Sequence, residues 1–301
     1  MLKGFCTLAV GNEKYYQLAG ELLKSYRLHT KDPAPFIIYA DRKNEYTELF
    51  DGTVILDQAS GSYMDKLTIL SRPYFEYNIF IDSDCLCFGD INEYWDYFPR
   101  GGVSCFGSSL PLNSEDGWFL IDDTAEYREK IEFIPQMHGG IIFFRDDEIT
   151  RSIFRMSITV SENFGRYQFK YFDKPADEPI LALCMAVHGV RPVEIPVGSK
   201  KMFVFYPTVE KLKCNILTGI VSYEKDDGDK FEGEALLIHW QNLFTESVAY
   251  KRETYRMEAF GGNNCKKISV VYRTIFYAIG LFVKRNLQRG LNKMKRMVHR
   301  A

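Results

Sequence analysis

Two carboxylates directly follow a short apolar run near residue 80. The run Asn78–Ile81 predicts a buried strand of an α/β sheet whose two faces are covered. Residues two apart on an extended chain point to the same side, so we expect the side chains of Asp82 and Asp84 on one face. Ligands bind beyond the carboxyl ends of the strands in open α/β sheets. Carboxylates at that edge suit Mg²⁺ or Mn²⁺, which commonly carries the phosphates of a substrate.

A solvated loop, in which Asp82 or Asp84 caps a turn, is the alternative for this segment. The flanking residues make that alternative harder. Apolar Cys85–Phe88 follows at once, and Gly89-Asp90-Ile91 closes the segment. A loop is not expected to be bracketed so tightly by residue types that are usually buried. The pattern therefore favours a site for a metal and a diphosphate.

The stretch from Ile79 to Ile91, IFIDSDCLCFGDI, resembles the Asp-x-Asp segment of nucleotide-sugar glycosyltransferases with the GT-A fold. It is most similar to the family 8 group, which includes galactosyl- and glucosyltransferases of lipopolysaccharide and glycogenin. The resemblance runs in order over roughly residues 1–245. It implies a Rossmann-like mixed sheet flanked by helices, and a Mn²⁺- or Mg²⁺-dependent enzyme. The donor would be a nucleoside-diphosphate sugar, by preference a UDP-sugar. The acceptor would be a glycan or a lipid-linked glycan, and the anomeric configuration would be retained.

Individual positions of this chain can be matched to that family. The resemblance places Thr7, Ala9, Asn12 and Tyr15 beside the nucleotide, with Ser83 next to Asp82, and Lys66 facing the diphosphate. It places His138, Gly139 and Gly140 along the sugar pocket, Asp177 and Glu178 facing the donor sugar and acceptor, and His239 as third metal ligand with Asp82 and Asp84. Each position has a plainer alternative: an ordinary βα unit, a solvated lysine, a glycine bulge, a helix cap, or a histidine without a ligand.

Departures from the family pattern keep other functions open. His138 stands where the family has Asn, Glu178 replaces a Gln, and no Lys-Pro-Trp follows His239. A degenerate domain that binds a nucleotide or glycan without turnover fits these losses. In an inverting enzyme, Asp177 or Glu178 would be the general base. A phosphatase of the haloacid-dehalogenase type also uses Asp-x-Asp, but has Thr or Val where this chain has Leu86. A sugar nucleotidyltransferase would need a richer glycine loop than residues 11–14 provide.

Composition limits the domain size, the redox compartment and the localisation that can be expected. The chain has 301 residues and is 46% hydrophobic, enough for one large domain with a substantial core. Its seven cysteines are scattered without a Cys-x-x-Cys pair, which indicates free thiols in a reducing compartment. No signal peptide or spanning segment is evident, so we expect a cytoplasmic protein. The strands expected beyond the first half include Arg191–Ile195, and residues 198–233 are expected to form a surface loop or hairpin.

The last residues carry a helical pattern and a strong positive charge. From Cys265 to the end there are ten Lys or Arg and no Asp or Glu, whereas residues 1–264 hold 28 basic and 40 acidic side chains. Apolar residues recur every three or four positions over 268–298. We therefore expect a catalytic domain at 1–245 and an amphipathic helical extension at 246–301. Residues 268–301 would bind the inner face of an anionic membrane, or pack on the domain or in a dimer. The acidic body disfavours nucleic acid.

Overall fold

The computed structural model describes residues 2–99, 101–120, 126–195, 204–205, 209–225, 228, 230–260 and 264–298. The chain opens with β1 (Lys3–Ala9), α1 (Glu13–His29), β2 (Phe36–Ala40), β3 (Gly52–Ile55), the short α2 (Met64–Thr68), β4 (Tyr77–Ile81) and β5 (Cys85–Cys87). It continues with β6 (Val103–Leu110), β7 (Ile134–Arg145), α3 (Glu148–Glu162) and α4 (Asp177–Val187). The chain thus opens as a βα unit, with a strand, a tight turn and a helix.

A six-stranded sheet in the order β3-β2-β1-β4-β7-β6 forms the centre of the molecule. The first four of these strands are mutually parallel, and β7 runs antiparallel to both β4 and β6. The sheet is therefore mixed, as expected. Because β1, β2, β3 and β4 are parallel, their carboxyl ends share one edge of the sheet.

Both faces of this sheet are covered, which explains the continuous apolar runs in its strands. On one face, Phe5, Ile79 and Ile81 pack with α1 and with a 3-10 turn at Ile91–Tyr97. On the other face, Phe80 and Ile142 pack against α3 and α4. The expected α/β architecture, a mixed sheet flanked by helices, is confirmed. Asn78 is also fully buried, and it accepts a hydrogen bond from the Phe75 backbone.

Two smaller sheets follow. Their strands are β8 (Val204–Phe205), β9 (Val209–Asn215), β10 (Ile220–Lys225), β11 (Lys230–Glu234) and β12 (Leu237–His239). Strand β10 lies between β9 and β11 in an antiparallel sheet, so the described part of 198–233 forms hairpins, the second of the two expected alternatives, rather than a loop. The acidic residues expected in a loop at 226, 227 and 229 lie outside the described residues. Strand β12 pairs antiparallel with β5 and parallel with β8.

One predicted strand is wrong. Residues Arg191–Ile195 make a single isolated bridge, between Val193 and Phe106, and do not form a strand. This segment runs beside β6 at the point where β6 has a bulge, between Cys105 and Gly107, in its pairing with β7. The bulge limits the pairing because the ladder hydrogen bonds lose their register there.

Three helices complete the described chain: α5 (Gln241–Phe244), α6 (Val248–Glu258) and α7 (Asn264–Val298). The expected helical extension is therefore present, and it consists of α6 and the 35-residue α7 within 246–298. Helix α6 is tied to the small sheet by buried Glu253, which accepts from the Ile216 backbone and pairs with Arg256. Among the described helices, none combines the length and apolarity that crossing a membrane requires.

Candidate metal and substrate site

The two aspartates lie at the carboxyl end of β4, beside the double glycine of β7. The Asp82 backbone N–H donates to the Gly140 carbonyl at 3.0 Å, which extends the pairing of Ile81 with Ile141. Residues Ser83 and Asp84 then form a tight turn, closed by the Cys85 N–H donating to the Asp82 carbonyl. The sequence predicted an extended segment here, and the structure shows a turn instead. The two carboxylates converge because the chain turns back into β5.

His239 reaches these carboxylates through strand pairing. The register of β12 on β5 sets His239 opposite Cys85, and the Trp240 N–H donates to the Asp84 carbonyl at 3.1 Å. The imidazole Nε2 consequently lies 3.1 Å from Asp84 Oδ1 and 3.7 Å from Asp82 Oδ2. The strand pairing thus brings His239 within a few ångströms of two carboxylates that precede it by 157 and 155 positions.

Lys66 joins the aspartates to the start of α4. Its ammonium lies 3.0 Å from Asp82 and 2.8 Å from Asp177, and it also donates to the Gly139 carbonyl. The side chain is only 11% exposed, so the alternative of a solvated surface lysine is wrong. Burial alone would lower the pKa of Lys66, but Asp177 and Asp82 raise that pKa well above its ordinary value. Lys66 is therefore a buried cation between two carboxylates.

Asp177 and Glu178 open α4, but neither side chain caps it. The N-cap is Ala176, and the described contacts of both carboxylates lead into the site instead. Glu178 accepts the Gly139 N–H at 2.8 Å and lies 3.7 Å from His138 Nδ1. Burial would raise the pKa of Glu178, yet the His138 side chain and the Gly139 N–H hold it below its usual value. Glu178 is thus held as a carboxylate.

A cavity of about 260 Å³ lies next to His138, lined also by Phe106, Gly107, Ile141 and Ile195. Its walls are mainly apolar, and His138 brings a polar group to its edge. Small apolar pockets with a few convergent polar groups are common binding sites for small molecules. The cavity adjoins the residues that the sequence placed along a sugar pocket.

Charge is unevenly distributed in this cluster. Burial raises the pKa of Asp82 to about 6, with Asp84 adding to the rise and Lys66 opposing it. Burial also favours a higher pKa for Asp84, but the hydrogen bond from His239 brings that pKa below its usual value. For His239 the effect of burial, which would lower its pKa, is outweighed by Asp84 and Asp82, and the pKa is raised. Asp84 and Asp82 therefore stabilise the protonated, positively charged form of the His239 imidazole.

A divalent cation fits this donor set. Ligands on adjacent positions of an octahedral ion with bonds near 2.1 Å are about 3 Å apart. The separation of His239 Nε2 from Asp84 Oδ1, 3.1 Å, matches that value, whereas Asp82 Oδ2 lies 3.7 Å away and accepts a hydrogen bond from Lys66. Carboxylates suit Mg²⁺ and Mn²⁺, and imidazole suits transition metals, so the mixed set favours Mn²⁺. Cys85 Sγ also lies within 4.8 Å of the Asp84 and His239 donors. Burial raises the pKa of the Cys85 thiol well above its ordinary value, so the thiol is neutral unless a bound ion displaces its proton.

Gly140 leaves room for the imidazole, and this gives a sharp prediction. A Cβ at Gly140 would lie 2.8 Å from His239 Nδ1. We expect Gly140→Ala to displace the ring and to weaken Mn²⁺ binding by roughly 10–100-fold, the range seen when the groups that orient metal ligands are changed. Titration of the variant with Mn²⁺ by calorimetry measures this. Gly165→Ala is the matched control, because its Cβ would meet nothing within 4 Å. Equal Mn²⁺ affinity in both variants would contradict the assignment of His239.

The residues that the sequence placed beside the nucleotide lie in several different environments. Thr7 and Ala9 are fully buried inside β1, so neither side chain is exposed to a ligand. The Asn12 side chain caps α1, accepting the Lys14 N–H at 2.9 Å. Tyr15 accepts from the Asn242 side chain at 3.2 Å. Ser83 is buried in the turn between the two aspartates.

A contact that the sequence did not predict joins the turn after β1 to the residues that follow His239. Lys14 donates to both the backbone and side-chain oxygens of Asn242, at 2.9 and 3.0 Å, and Asn242 in turn contacts Tyr15. Residue pairs with more than two hundred positions between them leave no local pattern, so composition and spacing could not have indicated this contact.

Comparison with known proteins gave matches among solved structures alone. No protein family matches the chain, and no curated protein does. A structure titled as the apo form of the bifunctional glycosyltransferase WbbM is 16% identical, with 68% of this chain and 40% of that chain covered and a TM-score of 0.41. This chain thus spans about two fifths of WbbM. The galactosyltransferase LgtC, in complex with donor and acceptor sugar analogues, is 12% identical, with 86% and 97% covered and a TM-score of 0.49.

Proposed function

We propose that this protein is a metal-dependent glycosyltransferase with a GT-A-type fold. It would transfer a sugar from a nucleoside-diphosphate sugar, by preference a UDP-sugar, to a glycan or lipid-linked acceptor in the synthesis of cell-surface polysaccharide. The observation that carries the proposal is the convergence of Asp82, Asp84 and His239 at the carboxyl edge of the sheet. Lys66, Asp177 and Glu178 lie directly beside them.

Each set of residues in the site would have a separate role, which follows from its chemistry. Asp82, Asp84 and His239 would hold Mn²⁺, which as a Lewis acid would offset the charge of the departing nucleoside diphosphate. Lys66 fixes the orientations of Asp82 and Asp177, because it pairs with both. Gly139 and Gly140 allow the strand to approach the ligand closely, and the cavity beside His138 would take the sugar.

Retention of configuration suits the two carboxylates at the start of α4. An inverting enzyme needs a general base whose pKa lies near the working pH. Asp177 is instead paired with Lys66, and the pKa of Glu178 is held below its usual value by His138 and the Gly139 N–H. Both therefore suit positioning of the donor sugar and acceptor better than proton abstraction. We assign them that role.

Thermal stabilisation by a nucleotide panel tests the proposal. UDP, GDP, CMP and ADP are each added with and without Mn²⁺. A specific nucleotide at a hundredfold excess over its dissociation constant should stabilise the fold by about 2.7 kcal/mol. We expect this shift with UDP and only when Mn²⁺ is present. A shift without any hydrolysis or transfer of UDP-sugars would favour the degenerate, non-catalytic domain. No shift with any nucleotide would contradict the proposed function.

A further inference from the structure

Helix α7 presents an apolar face that points away from the domain. At about 100° per residue, its half-buried positions Val270, Thr274, Tyr277, Ala278 and Leu281 fall within an arc of about 100°. That face packs on the rest of the protein: Tyr277 Oη donates to the Glu246 carbonyl at 3.0 Å, and near this face Arg273 pairs with Glu258. The packing side of α7 is therefore defined.

The opposite side of α7 is apolar and exposed. It is represented by Ile268, Tyr272, Phe276, Ile279, Phe282 and Leu287, and Phe276 and Phe282 are 70% and 68% exposed. On a helical projection these six lie within an arc of roughly 140°, centred about opposite to the packing face. The arc extends along about 30 Å of helix. A continuous exposed apolar surface of this length marks an interaction site.

Cations border this arc on both sides. On the same projection Arg289 lies about 20° beyond one end of the arc, Lys267 and Arg285 lie about 60° beyond that end, and Lys284 lies about 60° beyond the other, all of them exposed. No Asp or Glu occurs from Cys265 to the end of the chain, whereas residues 1–264 carry an excess of twelve acidic side chains. An apolar arc between two rows of cations is the arrangement of a helix that lies in a bilayer interface with anionic lipids.

We propose that α7 is a membrane-docking surface, with its apolar arc inserted at the interface of an anionic bilayer and its flanking cations among the lipid headgroups. A second copy of the chain fits this surface less well. Pairing two α7 arcs would set cations against cations, with no acid on either helix to compensate. The acidic body would be repelled by the same bilayer, which leaves α7 as the side that faces it.

This proposal deepens the proposed function, because a lipid-linked acceptor would be presented at such a surface. The link is geometric. Glu246, which α7 contacts through Tyr277, is seven positions after His239 and lies near Lys14, whose own partner is Asn242. The docked helix would therefore be connected to the segment that follows the metal site.

Vesicle co-sedimentation of the full chain tests the proposal. The probes are vesicles of phosphatidylcholine alone and of phosphatidylcholine with 30% phosphatidylglycerol, at low and high salt. We expect binding to the anionic vesicles, weakened by salt. Lys284→Ala with Arg285→Ala should lower the partition coefficient roughly thirtyfold, at about 1 kcal/mol per cation. Arg151→Ala with Arg155→Ala removes the same charge from exposed positions of α3 and should leave binding unchanged.

The apolar arc is tested by Phe276→Ser with Phe282→Ser, which should lower the partition coefficient at least tenfold while the melting temperature stays within a few degrees. Equal binding to neutral and anionic vesicles would overturn the proposal. A wild-type dimer that this variant makes monomeric, without vesicle binding, would overturn it in favour of a second copy. Asp84→Ala should bind vesicles like wild type, so failure of docking and failure of the proposed enzyme activity remain distinguishable.

Discussion

Asp84→Ala is expected to abolish the Mn²⁺-dependent stabilisation by UDP. The carboxylate is the nearest described acidic partner of His239, with Oδ1 3.1 Å from the imidazole Nε2. Its removal takes away one of three protein ligands and the group that orients a second. The shift of about 2.7 kcal/mol at hundredfold excess of nucleotide should therefore vanish. Differential scanning fluorimetry with UDP, with and without Mn²⁺, measures the effect.

His239→Ala should reproduce this result, because the same ion is lost from the other side of the site. Asp32→Ala is the matched control: it removes an exposed carboxylate before β2, at the opposite edge of the sheet, and should keep the full shift. An Asp84→Ala protein that still shows the wild-type Mn²⁺-dependent shift would remove the metal assignment. Loss of the shift in the Asp32→Ala control would show that the assay reports general stability rather than the site.

Lys66→Ala should cause the largest loss of stability among single changes at this site. The ammonium is buried between Asp82 and Asp177, and its removal leaves two largely buried carboxylates without their cation. Breaking such a buried pair typically costs about 3–5 kcal/mol. We expect about 3 kcal/mol in the free energy of unfolding, because Asp82 is 18% exposed and can take up a proton. Urea unfolding without metal measures it.

A double-mutant cycle separates the ion pair from the loss of packing. Asp177→Asn combined with Lys66→Ala should cost less than the sum of the two single changes, by about 0.5–3 kcal/mol. Lys24→Ala, which removes a half-exposed surface lysine paired with Glu21, should change stability by less than about 1 kcal/mol. Strict additivity of the two site variants would show that Lys66 and Asp177 do not interact as the geometry indicates.

Local patterns were enough to predict individual strands and helices and the Asp-x-Asp segment, whereas the mixed sheet and the other candidate site residues were implied by the resemblance to GT-A glycosyltransferases. Asn78–Ile81 predicted a buried strand because its residues are apolar on both faces, and the structure contains that strand as the end of β4. The helical period of α1 is likewise contained in a short window, whereas the sequence placed Asn12 beside a nucleotide and the structure shows it as the N-cap of that helix. The amphipathic character of α7 was equally readable, since its period is a property of one helix.

Only the tertiary structure determined how these parts meet. His239 reaches Asp84 because three residues of β12 pair with three of β5, and no window of sequence contains both strands. Lys66 is buried between two carboxylates, whereas its neighbours in sequence fit a solvated lysine equally well. The turn at Ser83 and Asp84, the burial of Thr7 and the outward direction of the α7 arc likewise depend on long-range packing. Composition and spacing thus specified which groups could do chemistry, and the long-range pairing of strands and charges specified where they act.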